Sequence, residues 1–121
     1  MRPTASSDDR DGKIKEHDSA GITLESAKWL VEQHGAIFIG SDTSGLEYAP
    51  SAEDEEEFRK EYKTFIPVHT YLLNDQGVHI GEFHYLEDLA AEKAYEFCYI
   101  SMTNKIKGST AGFALPPIAI R

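Results

Sequence analysis

Across a single glycine the spacing of apolar residues changes period, and this switch constrains the fold more than any other feature of the chain. Leu24, Ala27, Leu30, Val31 and His34 recur at intervals of three and four, the repeat that lines one face of an α-helix. Thr23 is placed to serve as the N-cap and Gly35 as the C-terminal stop. Ala36-Ile37-Phe38-Ile39 follows at once as a short run of strand-like composition, ended by Gly40. A helix that feeds a buried strand through one glycine predicts an α/β (α+β) domain built in layers.

Beyond Gly40 the pattern continues to mix the two periods. Gly40-Ser41-Asp42-Thr43-Ser44-Gly45 is small and polar and sits where a strand would end, a common place for functional groups, although these residue types also make ordinary turns. Residues 51–62, SAEDEEEFRKEY, predict a helix with a possible Ser51 cap and Asp54 before an acidic first turn, and Arg59 and Lys60 near its end. Glu55, Glu56 and Glu57 are consecutive and point around that helix, so they read as a solvated face rather than a cation site. Pro67 suits the opening of a short helix containing His69, and Asn74-Asp75-Gln76-Gly77 the turn that closes it. Val78, Ile80, Glu82 and His84 alternate with His79, Gly81 and Phe83, which predicts a strand with Glu82 and His84 on one side. Leu86 to Ala94 reads weakly as a helix or turn. Tyr95 to Met102 reads as a central strand and Ile118 to Ile120 as another, with a loop over residues 105–112 that lacks P-loop spacing.

Length and charge narrow the function classes. At 121 residues the chain holds one small domain, and residues 1–20, with four Asp, one Glu and few apolar side chains, read as a flexible lead-in to a folded part over 21–121. A formal charge of −9 opposes phosphate backbones and anionic lipid, so neither nucleic acid nor membrane is expected as a partner. No apolar stretch nears the roughly 18 residues of a membrane span, and the N-terminus lacks the apolar region of a secretory signal, which predicts a soluble, cytoplasmic protein. The one cysteine, Cys98, permits no disulfide within the chain and reads as a buried small hydrophobe.

Five histidines are present, at positions 17, 34, 69, 79 and 84, without the one-turn spacing of a zinc-helix pair, and no G-x-S-x-G elbow occurs. The constellation left is His69 at a helix start and Glu82 on the element after the following turn. An imidazole and a carboxylate suit Zn²⁺, Mn²⁺ or Fe²⁺. Spacing alone favours a hydrogen-bonded interior histidine and a surface or paired carboxylate over a pair of ligands.

Three blocks carry a resemblance. GITLESAKWLVEQHGAIFIGSDTSGLE, IPVHTYLLNDQGVHIGEFHYLEDLA and IKGSTAGFALPPIAI resemble, in unbroken order over about residues 20 to 121, the later half of the cyclase family that includes kynurenine formamidases and isatin-hydrolase-like enzymes. The resemblance implies a partial swivelling β/β/α domain with a mixed sheet and flanking helices, and metal-dependent hydrolysis of carbon–nitrogen bonds in small-molecule amide or cyclic substrates, as in tryptophan catabolism. It implies His69 and Glu82 as metal-site residues for Zn or Mn, and it places Asp42 and Ser44 beside the substrate pocket. The family usually works as an oligomer.

The chain departs from the family pattern in three ways. Thr70 stands where an arginine is commoner, the interval from His69 to Glu82 is one residue longer, and the motif H-x-G-T-H-x-D-x-P-x-H, which supplies most ligands and the catalytic histidine, is absent from these residues. Two ligands neither fix a geometry nor hold a divalent ion tightly. The expectation is therefore a homo-oligomeric chain that is inactive or very weak alone, with the missing half supplied by a complementary chain or encoded upstream, or a non-catalytic remnant that pairs with another polypeptide through exposed sheet edges.

Overall fold

A computed structural model describes residues 20–109, 112 and 114–121. The lead-in read over residues 1–20 lies outside these except for Ala20, as do Thr110 and Ala111 of the 105–112 loop. Helices and short strand pairs are mixed along the chain in an α/β (α+β) arrangement, in two compact units that meet at Tyr85 and Leu86 in sequence.

In the first unit, helix α1 (Leu24–His34) starts and stops as its sequence dictates. The Thr23 side chain accepts the Ser26 amide at 3.3 Å, and Gly35 takes the left-handed conformation at φ +65°, donating its N–H to Val31 O at 2.9 Å. Ala27 is fully buried, and Leu24, Leu30 and Val31 pack at the margin of the core. His34 is exposed, its ring beside that of Trp29, because the helix end has run past the core.

Strand β1 (Phe38–Gly40) pairs in parallel with β2 (His79–Gly81), Ile39 opposite Ile80. The expected buried run is only partly realised. Ile39 is buried and Ile37 exposed, because β1 has one strand partner and one covered face, and an alternating burial follows.

Helix α2 (Glu55–Tyr62) buries none of its residues, and its acidic start and the Lys60–Glu56 ion pair at 2.7 Å face solvent. Ser51 hydrogen-bonds Asp54 at 2.7 Å ahead of it. Helix α3 (Pro67–His69) has Pro67 in its first turn and runs directly into a π-helix over Thr70–Gln76. The turn expected over residues 74–77 is thus mostly helical, and Gly77, left-handed at φ +65°, ends it. Ala27, Ile39, Leu46, Val68, Tyr71, Leu72 and Val78 form the core.

β2 is shorter than the alternation predicts. Phe83 has φ +56°, which reverses the backbone after Gly81, so Glu82 and His84 do not continue one strand face. His84 instead returns to β1, its amide on Ser41 O at 3.0 Å and its ring so close to Gly81 that a Cβ there would lie 2.5 Å from it.

The second unit holds α4 (Glu87–Ala91) and an antiparallel pair, β3 (Cys98–Ile100) with β4 (Ile118–Ile120), Tyr99 opposite Ala119. Arg121 pairs with Glu92. The sequence reading of a central strand over 95–102 is corrected to a three-residue strand with one partner. Cys98, expected to be buried, is exposed, because the described residues put no hydrophobic layer over this sheet.

Candidate metal centre

The site begins with a close backbone approach. Ile22 and Glu47 form an isolated parallel bridge, with Ile22 N on Leu46 O at 2.9 Å and Tyr48 N on Ile22 O at 3.0 Å. Gly21 makes this possible: a Cβ there would lie 2.4 Å from the backbone of Glu47 and Tyr48. Leu46 anchors the segment in the core.

From that segment the Glu47 carboxylate reaches the start of α3. Pro67 has no amide hydrogen, and Ile66 offers no capping side chain, so the orphan donors of this turn are the N–H groups of Val68 and His69. Glu47 Oε1 accepts Val68 N at 2.8 Å and Oε2 accepts His69 N at 3.2 Å. Oε2 also lies 2.6 Å from His69 Nδ1. On the other side of the imidazole, Nε2 is 3.4 Å from Glu82 Oε1, which accepts the Leu46 amide at 2.9 Å. The Glu47 side chain is 7% exposed, those of His69 and Glu82 25% and 28%.

The two residues singled out in the sequence are therefore neighbours, brought together by the helix from Pro67 and the return through β2. Asp42 and Ser44 are exposed on the loop after β1. That loop is tied to the Glu82 segment by Ser41 N on Gly81 O at 2.9 Å and by Phe83 N on Thr43 O at 3.0 Å. Glu47, which sequence reasoning passed over, is the most enclosed of the three polar groups. No local pattern marks it, since 22 residues separate it from His69 and only the bridge to Ile22 brings it near.

The donor set fits part of a metal site. His69 Nε2 and Glu82 Oε1 lie 3.4 Å apart, so one imidazole and one carboxylate donor face each other. The chemistry of imidazole and carboxylate suits Zn²⁺ and Mn²⁺. Glu47 cannot readily add a third ligand, because both its oxygens are engaged by α3. Among the described residues no group of three or more His, Cys, Asp or Glu side chains is arranged to hold a metal ion. Two nearby recesses, of about 160 and 190 Å³, are lined by neither His69 nor Glu82.

No known family model matches this chain, and no curated protein or solved structure matches it significantly.

Proposed function

We propose that this chain carries part of the metal centre of a cytoplasmic, formamidase-like hydrolase related to the cyclase family, cleaving the carbon–nitrogen bond of a small amide or cyclic amide. The observation that supports it is the convergence of His69 Nε2 and Glu82 Oε1, which lie 3.4 Å apart. His69 and Glu82 would hold a Zn or Mn ion, which when bound lowers the pKa of a water molecule to about 7 and polarises the substrate carbonyl. Glu82 is oriented by the Leu46 amide and His69 by Glu47, so neither donor has to be ordered at the moment of binding. The remaining ligands and the proton-transferring histidine would come from a segment outside these 121 residues, in the same or another chain.

The test is hydrolysis of N-formylkynurenine and of isatin with added Zn²⁺ or Mn²⁺. Alone, the chain is expected to turn over slowly or not at all. Addition of a complementary segment bearing H-x-G-T-H-x-D-x-P-x-H is expected to give metal-dependent hydrolysis that His69→Ala and Glu82→Ala abolish. Enzyme-like turnover by the chain alone, lost in His69→Ala, would overturn the partial-site reading. No hydrolysis of either substrate with the complement present would overturn the hydrolase reading.

A second reading, a non-catalytic chain that pairs with another polypeptide, is favoured by a different observation. Each described strand sits in a two-stranded sheet with one side unpaired, and Ile37, Tyr95 and Met102 are among the exposed apolar side chains. Light scattering that shows only monomer across the accessible concentration range would count against it.

A further inference from the structure

Glu47 is a carboxylate whose side chain is only 7% exposed, and taking such a group out of water is unfavourable unless its oxygens are satisfied. Three donors satisfy it. Two are backbone amides, Val68 N and His69 N, fixed by the first turn of α3, so the carboxylate position does not depend on the histidine ring. The third contact, at 2.6 Å, is His69 Nδ1. Both Glu47 oxygens already accept backbone amides, and against an acceptor so placed the 2.6 Å contact is made by the tautomer with its hydrogen on Nδ1. With Nδ1 committed, the ring presents Nε2, and Nε2 is the nitrogen that faces Glu82 at 3.4 Å.

We infer that Glu47 is the positioning residue of this site: it fixes the rotation of the His69 ring and holds the hydrogen on Nδ1, leaving Nε2 as the atom offered to a divalent cation beside Glu82. The inference rests on the metal-centre reading for what Nε2 does, and on the Glu47–His69 geometry alone for which nitrogen is presented. Glu82 cannot substitute for Glu47, because it approaches the opposite ring nitrogen and is itself held by Leu46 N. The inference also accounts for a carboxylate that is enclosed while the two candidate ligands remain partly open.

The experiment uses the full chain with ¹⁵N-labelled histidine, the His69 signals assigned by their loss in His69→Gln. In the metal-free wild type, two-dimensional NMR is expected to show a hydrogen on His69 Nδ1 that is protected from water exchange. Glu47→Gln is expected to remove that protection while Glu82→Gln retains it. Titration with Zn²⁺ in the presence of the complementary segment bearing H-x-G-T-H-x-D-x-P-x-H, followed by calorimetry, is expected to show affinity lower by about 10- to 100-fold in Glu47→Gln. An unprotonated Nδ1 in the wild type overturns the inference without recourse to any variant. So does a protected Nδ1 hydrogen that persists unchanged in Glu47→Gln. Absence of Zn²⁺ binding with that segment present, together with the expected Nδ1 signals, upholds the positioning role and overturns the metal reading instead.

Discussion

At Gly21 one added carbon decides whether the segment carrying Glu47 can lie where it does. The atoms that a Cβ would meet at 2.4 Å are backbone atoms of Glu47 and Tyr48, which cannot swing aside as a flexible side chain could. Gly21→Ala is expected to disrupt the Ile22–Glu47 bridge and destabilise the protein by about 1–3 kcal/mol, the usual cost of forced overpacking. Urea unfolding followed by circular dichroism reads this, and an unchanged midpoint would show that the bridge is not held as described. Tyr71 makes a second prediction through its hydroxyl, which donates to Glu32 Oε1 at 3.0 Å. Burial, then the hydrogen bond to Glu32, raises the Tyr71 phenol above its ordinary value. A phenol raised in the folded state contributes stability that is complete below its unfolded pKa of about 10 and is lost as pH rises through the folded value. Wild type is therefore expected to lose stability more steeply than Tyr71→Phe above about pH 10. Parallel slopes in urea melts at pH 9 and pH 11 would remove the effect.

Elements differ in how much of themselves they carry in local sequence. Helix α1 was legible in its cap, its apolar stripe and its left-handed glycine, each decided within a few residues, but not in His34, which the stripe included and the structure exposes. Pro67 announced α3 for the same reason, and His69 and Glu82 could be paired because one short helical segment and one return strand separate them. What escaped is what distant contacts decide. The π-helix after His69 places Tyr71 and Leu72 in the core, and nothing in TYLLNDQ separates that winding from an ordinary turn of helix. The early end of β2 depends on Phe83 adopting φ +56°, a conformation that no residue type there advertises. Glu47 was invisible because its partners lie on an element that starts 20 residues later. The same distinction predicts dynamics. The β3–β4 pair has three residues a side and no buried hydrophobic among its described residues, whereas α1 and the π-helix enclose the core. Isolated two-stranded pairs are marginal in water. Hydrogen exchange is expected to find the amides of Cys98–Ile100 and Ile118–Ile120 exchanging at least about 100-fold faster than those of Leu30, Val31 and Leu72, as for low-stability openings against near-global ones. Equal protection would mean that this pair is stabilised by contacts beyond those described.

For the whole molecule, charge and exposed apolar surface act in opposite directions. Among the described residues the seven buried core side chains all fall from Ala27 to Val78, and Tyr95, at 83% exposed, Met102, Ile118 and Ile120 stand on the surface of the remaining unit. Strand edges and apolar side chains in that state favour association with another chain. The formal charge of −9 opposes association between identical copies, over a range set by the Debye length of about 10 Å at 0.1 M salt. Raising salt at neutral pH should therefore shift the protein toward dimers or larger species, because it screens repulsion without weakening apolar contact. Lowering pH toward the isoelectric point, about 4.9, should do the same by removing the net charge itself. Sedimentation or light scattering at a series of salt concentrations and pH values reads both, with Tyr95→Ser/Met102→Ser as the control that reduces apolar surface at constant charge. If the double variant associates as strongly as wild type, apolar contact at those positions is not the drive. If neither salt nor pH changes the molecular mass, the net charge is not what keeps copies apart, and a monomer under every condition counts against pairing through these edges.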